Sequence, residues 1–90
     1  MVFQWDENKS RSNARKHGMD FDEASSIFGQ PLLTCYDSGS PPDEDRYVAI
    51  GFLGTKLVTV VFAQRPNDVI RIISARKATR VEEKRYERGY

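Results

Sequence analysis

The chain has 90 residues, of which 39% are hydrophobic and 30% are charged, and its formal net charge is +1. This composition excludes a disordered chain, and the sequence contains neither a signal peptide nor an apolar run long enough to span a membrane. We therefore expect one cytoplasmic domain over residues 1–90, with a thin core that buries roughly 60% of the unfolded surface.

The residues that most often bind metals are scarce. The chain has one cysteine, Cys35, and one histidine, His17. Neither an internal disulfide nor a protein-only zinc site can be assembled from them, so we expect no metal and no cofactor.

Charge is distributed unevenly along the chain. Residues 31–45 carry four acidic side chains and no basic one, whereas residues 46–90 carry ten basic and four acidic side chains. A basic C-terminal half indicates a polyanionic partner, and the acidic segment either keeps that half soluble or imitates a phosphate backbone within the fold.

The N-terminal segment is predicted to be a short strand, Val2–Trp5, followed by a helix, Glu7–His17. Asp6 is the expected N-cap, and Gly18 supplies the left-handed residue that ends the helix. Ala14 is the only apolar side chain of this helix, so we expect packing to hold it poorly. One face of the helix, either solvated or functional, carries Lys9, Asn13, Lys16 and His17.

A second helix is predicted from the capping box of Asp20 and Glu23 through Phe28. It should pack on the sheet, because its apolar residues recur at helical spacing. A strand is expected at Leu32–Tyr36. The acidic loop Asp37–Asp45 contains no apolar residue to anchor it, and we expect it to be mobile.

The second half of the chain predicts a three-stranded antiparallel meander: Arg46–Leu53, Lys56–Gln64 and Val69–Lys77. Gly54-Thr55 suits a type II′ turn between the first two strands. Thr79 and Glu82 form another capping box, which begins a thinly apolar, loosely held C-terminal helix. The predicted fold class is therefore α+β: a small antiparallel sheet with two N-terminal helices packed on it and one C-terminal helix.

The most informative stretch is the strand Val69–Lys77. Arg71 lies among apolar neighbours, and a guanidinium cannot lose its proton on burial, so it needs carboxylates, carbonyls or an anionic ligand. Ser74, Arg76 and Lys77 follow where side chains are free to point at a substrate. These cations are either structural ion pairs and solvated charges or parts of one anion-binding site.

Several segments resemble the BrnT family of toxins from bacterial type II toxin–antitoxin systems. The resemblance spans nearly the whole chain and includes Phe3–Glu7, Phe21–Ala24 and Ile70–Ala78. Its most specific segments are Lys16-His17-Gly18 and Ile72-Ile73-Ser74-Ala75-Arg76. It implies a RelE-like toxin domain that cleaves RNA and so inhibits translation. It also implies neutralisation by a small BrnA-like antitoxin in a hetero-oligomer, with operator DNA contacted only through the antitoxin.

The residues supply the chemistry that metal-independent RNA cleavage requires. A base must take the 2′-hydroxyl proton, cations must stabilise the phosphorane, and an acid must protonate the leaving oxygen. Arg46, Arg71 and Arg76 are the candidate phosphate ligands, and His17 is the candidate base or acid. If His17 is structural, Lys16 or Glu82 is the alternative proton carrier.

The remaining candidates concern RNA binding. The candidate contacts to the RNA backbone are Lys9, Lys16 and Lys77. Tyr86 and Tyr47 are candidate platforms on which an unpaired base could stack. Two other classes of function stay open: a non-catalytic module that docks an acidic partner through the same basic strand end, and a transcriptional cofactor that acts through the antitoxin.

Overall fold

The computed structural model describes residues 1–89. Two helices follow the first strand, four consecutive strands come next, and a third helix ends the order. The elements are β1 (Val2–Gln4), α1 (Glu7–His17), α2 (Phe21–Ser25), β2 (Leu33–Tyr36), β3 (Arg46–Leu53), β4 (Lys56–Arg65), β5 (Val69–Lys77) and α3 (Arg80–Arg88). The predicted α+β class is confirmed. No helix within residues 1–89 is long and apolar enough to cross a membrane.

The strands form one sheet in the order β1-β5-β4-β3-β2. β3, β4 and β5 are the predicted antiparallel meander, β2 pairs antiparallel with β3, and β1 pairs parallel with β5. β4 is central, and Val58, Thr59 and Val60 in it are completely buried. The hairpin turn has the predicted form, since Gly54 has a φ of 65° and Thr55 is not among the positive-φ residues.

The core lies between one face of the sheet and the segment after α1. Phe21, Ala24 and Ile27 pack against β4 and β5 residues such as Val60 and Ile72. The second helix is shorter than predicted, because a 3-10 turn replaces it over Ser26–Gly29. The hydroxyls of Ser25 and Ser26 each donate a 2.7 Å hydrogen bond to a carbonyl three residues earlier, which competes with continued α-helix.

The first helix is anchored by polar groups, so the expectation of poor attachment was wrong. Ser10 and Asn13 are 3% and 7% exposed. The Asn13 amide nitrogen donates to the carbonyls of Met19 (2.9 Å) and Ala75 (2.8 Å), and its oxygen accepts from the Ala75 N–H (3.3 Å). The Phe21 N–H donates to the Ser10 hydroxyl at 2.9 Å. Buried hydrogen bonds replace the missing apolar face.

The acidic loop is also anchored, although it was expected to be mobile. The Ser40 hydroxyl donates to the Asp37 carbonyl at 2.6 Å and accepts from the Arg46 N–H at 2.9 Å. The Glu44 carboxylate forms ion pairs with Arg46 (3.1 Å) and Arg65 (2.8 Å). Polar contacts with β3 and β4 thus fix this loop to the sheet.

A β-bulge interrupts β5. Val61 pairs with Ser74 and Phe62 pairs with Ile72, so Ile73 is an extra residue in the ladder. Because side chains alternate between the two faces, one extra residue reverses the alternation beyond it. Arg71 and Arg76 therefore point to the same face although their numbers differ by an odd count.

The last helix begins at Thr79 with the predicted capping box and contains no buried residue. It lies on the sheet face opposite α1 and α2. Its contacts include a 3.1 Å hydrogen bond from the Tyr86 hydroxyl to the Pro31 carbonyl and an edge-to-face contact between Tyr86 and Phe52. Val81 is 68% exposed. The prediction of a loosely held C-terminal helix agrees with this geometry.

Candidate active site

The sheet face opposite α1 and α2 carries all three arginines predicted from the sequence, and we call it the arginine face. Residues paired across strands project to the same side. The pairing therefore places Gln4, Arg71, Ala63 and Arg46 in one row across four strands. A second row holds Ser74, Val61, Val48 and Cys35, and a third holds Arg76, Thr59, Ile50 and Leu33.

Arg71 and Arg46 belong to one row and flank the small side chain of Ala63. Their backbones are two strand spacings apart, or about 10 Å, so two long guanidinium side chains can converge above Ala63. Arg71 is half-buried, and its side chain hydrogen-bonds within residues 1–89 only to the Gln4 amide oxygen, at 3.4 Å. None of the carboxylates in residues 1–89 forms an ion pair with it. Arg71 thus presents an uncompensated charge on this face.

Arg46 is only partly neutralised. Its Nε donates to the Glu44 carboxylate at 3.1 Å, while the other Glu44 oxygen accepts from Arg65 Nη2 at 2.8 Å. The two terminal nitrogens of Arg46 have no partner among the described residues. The acidic loop thus places one carboxylate between two arginines at this end of the face.

Arg76 is held by a carboxylate at the other end of the arginine face. Its Nη1 and Nη2 donate to the two oxygens of Glu82 at 2.7 and 3.0 Å, a bidentate geometry. Glu82 also accepts from the Thr59 hydroxyl (3.0 Å) and the Thr79 N–H (2.8 Å). Both nitrogens of the Arg76 fork are thus occupied from α3.

This network decides the protonation state of Glu82. Partial burial alone would raise its pKa, but hydrogen bonds from Arg76, Thr79 and Thr59, together with the Arg76 charge, lower that pKa to about 2. The hydrogen bond to Glu82 in turn raises the pKa of Arg76. An ionised carboxylate accepts protons weakly and has none to donate near neutral pH. Glu82 therefore does not suit the alternative role of proton carrier.

His17 does not lie on the arginine face. It lines a groove between α1 and the free edge of β5, which we call the α1 groove. Its lining also includes Lys9, Lys16, Ser74 and Ile73. Two predicted RNA contacts, Lys9 and Lys16, are thus brought together with the candidate base or acid, His17. Ser74 connects this groove with the middle row of the arginine face. Asn13, the fourth residue of the predicted helix face, is buried and structural.

Lys77 lies on the opposite side of β5 from Arg76. It lines a cleft formed by the end of α1, the β3–β4 turn and the end of β5. His17 and Lys56 line the same cleft, which we call the hairpin cleft. Lys77 still pairs with Val58, so the strand continues past the point at which side chains were expected to leave the sheet.

The tyrosines are less available than the sequence suggests. Tyr86 is half-buried by its contacts with Phe52 and Pro31, next to the third row of the arginine face. Tyr47 packs on the core side against Phe62. A base can reach only the exposed part of the Tyr86 ring.

Two residues that contribute to the arginine face, Thr59 and Glu44, were not singled out from the sequence. Thr59 is completely buried and donates to Glu82, and its only signal was a hydroxyl within the apolar run of β4. Glu44 stood among four acidic residues, and its choice of partners depends on a pairing between strands that no local pattern specifies.

Comparison with known proteins connects this geometry with a family. A family profile described as ribonuclease toxin, BrnT, of type II toxin–antitoxin system matches residues 5–82. The crystal structure of the Brucella abortus ribonuclease toxin BrnT is similar, with a TM-score of 0.65 and 28% sequence identity over 89% of this chain and 100% of that one. A comparison with curated proteins gives no significant match. The chain belongs to the BrnT family of ribonuclease toxins of type II toxin–antitoxin systems.

Proposed function

We propose that the protein is a metal-independent endoribonuclease that inhibits translation in the cytoplasm and is neutralised by a small BrnA-like antitoxin. The observation that carries the proposal is Arg71, a guanidinium with no ion pair among the described residues, in one row with Arg46 on the sheet face opposite α1 and α2. Operator DNA would be bound only by the antitoxin.

The arginines supply the electrostatic part of the reaction. When the 2′-hydroxyl attacks the adjacent phosphate, negative charge accumulates on the phosphorane oxygens, and preorganised donors stabilise it. Arg71 and the two free nitrogens of Arg46 are placed for this role. They provide positive charge where a divalent ion would otherwise be needed and would repel such an ion, which supports a reaction without metal.

Proton transfer is assigned to the α1 groove. His17, or Lys16 beside it, would act on RNA that crosses the β5 edge at Ser74, where the groove meets the arginine face. Lys9 and Lys77 would contact the backbone on either side, and Tyr86 would stack a base beside Arg76. Arg76 joins the phosphate ligands only when Glu82 releases it.

The alternative, a non-catalytic module for an acidic partner, has one observation in its favour. Arg46 and Arg76 already bind carboxylates, Glu44 and Glu82, so the face is complementary to acidic side chains. The same property suits an antitoxin that covers the arginines with its own carboxylates. Cleavage by purified protein separates the two functions.

The decisive experiment uses RNA with a single 2′-deoxy position at the cut site, in EDTA. We expect cleavage of the all-ribose RNA and none at the deoxy position. Arg71→Ala should lower kcat/KM by the equivalent of about 3 to 4 kcal/mol of transition-state stabilisation. Arg71→Lys should lower kcat/KM less, because lysine keeps the charge but loses the planar fork.

Arg11→Ala is the matched control, because Arg11 is exposed on α1 and hydrogen-bonded only to Asn8. Thermal melts of each variant separate stability from catalysis. Cleavage at the deoxy position, or parental activity in a well-folded Arg71→Ala, would refute the proposed mechanism.

A further inference from the structure

The hairpin cleft has the size and composition of a site for one nucleobase. Its volume is about 480 Å³, within the range of small-molecule sites. Met19, which is 6% exposed, contributes an apolar floor, and the half-buried Leu53 closes one side. Such a floor receives the face of a flat ring, and the thioether of Met19 makes favourable contacts with aromatic rings.

The rim of the cleft is charged and mostly basic. Lys56, Lys77 and His17 line it, and Glu23 is its one acidic residue. The two lysines can bind the phosphates on either side of an inserted nucleotide. A cleft with an apolar floor and a cationic rim suits an RNA strand with one base turned inward.

Glu23 supplies base selectivity. One of its oxygens accepts the Asp20 N–H at 3.1 Å, which completes the capping box of α2. Its other oxygen has no hydrogen-bond partner among the described residues, and no cation in them forms an ion pair with Glu23. An acceptor-only group at the rim favours a base edge that carries adjacent donors. Among the four RNA bases, only guanine presents two neighbouring N–H donors, at N1 and N2.

The position of the cleft connects it with the arginine face. Lys77 and Arg76 are consecutive in β5 and point to opposite faces of the sheet. A strand of RNA that passes over this end of β5 can place a phosphate beside Arg76 and the next base in the cleft.

We propose that the hairpin cleft binds one extruded guanine of single-stranded RNA, with Glu23 accepting hydrogen bonds from N1 and N2. This inference rests on the proposed function for its choice of ligand. It names a base preference that neither the arginine face nor the α1 groove accounts for.

The test measures binding of uncleavable 2′-O-methyl oligonucleotides by fluorescence anisotropy, so it does not depend on catalysis. The probes are UUGUU and the same sequence with inosine or adenine in place of guanine. Inosine lacks the N2 amine and nothing else, so we expect the parent protein to bind the guanine probe about tenfold more tightly than the inosine probe, as for loss of one donor in a paired contact.

Glu23→Gln keeps the capping box, because glutamine also accepts the Asp20 N–H, but it places an amide donor where guanine needs an acceptor. We expect the preference for guanine to fall to less than about twofold. Asp22→Asn, an exposed neighbour that does not line the cleft, should leave the preference at the parental value.

Equal binding of the guanine and inosine probes by the parent protein would overturn the inference without any variant, as would full discrimination by Glu23→Gln. Guanine preference in a protein that cleaves no RNA would refute the proposed nuclease function and leave the cleft assignment intact. RNA cleavage without any base preference in binding would refute the cleft assignment and leave the proposed nuclease function intact.

Discussion

The first and last helices are similar in their low apolar content and different in attachment. Both are almost devoid of apolar residues, but α1 buries Ser10 and Asn13, whereas α3 buries no residue. The Asn13 amide bonds to the backbone of a core strand, while the main polar anchor of α3 is the Glu82 side chain. Composition alone therefore does not determine how firmly a polar helix is held. One buried amide in the correct place replaces an apolar face.

The difference bears on function. The groups on α1, including Lys16 and His17, belong to a helix fixed to β5, so they are preorganised. Separation of α3 from the sheet would break the Glu82 contacts with Arg76 and Thr59 and the Tyr86 contacts, and that motion would free the Arg76 fork. The availability of Arg76 thus depends on the more weakly attached of the two helices.

Hydrogen exchange gives the largest expected contrast. Amides in the middle of α1 should exchange about 100-fold more slowly than those in the middle of α3, because α1 opens with the core whereas α3 opens locally. Antitoxin binding should slow exchange more in α3 than in α1. Mass spectrometry of the free and bound toxin measures both effects, and equal rates in the two free helices would contradict the distinction.

Removal of the α1 anchor should come next in size. Asn13→Ala leaves the Ala75 N–H and C=O and the Met19 C=O without their partner, and we expect a loss of about 2 to 3 kcal/mol in the free energy of unfolding. Urea denaturation measures it. Asn8→Ala, an exposed change on the same helix, is the control and should stay within about 0.5 kcal/mol of the parent. A loss for Asn13→Ala no larger than for the control would show that the amide does not anchor the helix.

The α3 anchor should have the smallest effect, with a characteristic pH dependence. The pKa of Glu82 is about 2 in the folded protein, below its unfolded value of roughly 4.3. Its stabilisation is therefore complete above the unfolded pKa and disappears as the pH falls towards 2. Glu82→Gln keeps the capping box and loses the charge, so it should cost about 1 kcal/mol near neutral pH.

Thermal or urea unfolding at several pH values checks this expectation. The parent and Glu82→Gln curves should differ at pH 7 and converge as the pH falls from about 5 to 2. Glu83→Gln, the adjacent acidic residue of the same helix, serves as the control for general charge effects. Curves that stay parallel down to the acid limit would show that Glu82 contributes no ionised-state stabilisation.

The parts of the structure that were predictable are those decided by neighbouring residues. Asp6, Asp20 and Thr79 cap the three helices because the capping bond reaches only two or three residues along the chain. The meander of β3, β4 and β5 was predictable for the same reason, because short turns join consecutive strands. The candidate arginines were selected as residue types that fit the chemistry, and their role in cleavage stays a prediction.

The parts that were not predictable depend on distant pairing. Asn13 bonds to Ala75, 62 residues away, and nothing near either residue marks the other. The bulge at Ile73, which brings Arg76 to the face of Arg71, is a property of the ladder between β4 and β5. The separation of His17 from the arginines likewise follows from the packing of α1 at the sheet edge. The sequence of α1 has no apolar face that would predict this position.

The contact between Asn13 and Ala75 also affects whether another strand can pair with the outer edge of β5. Beyond Arg71, β5 has no strand partner on its outer side, because β1 pairs only with Val69–Arg71. Unpaired strand edges are templates for aggregation and domain swapping. The carboxamide of Asn13 fills both hydrogen-bonding positions of Ala75, as one residue of an additional strand would, and α1 covers the edge. The stretch of β5 beyond Arg71 is thereby closed to the addition of another strand.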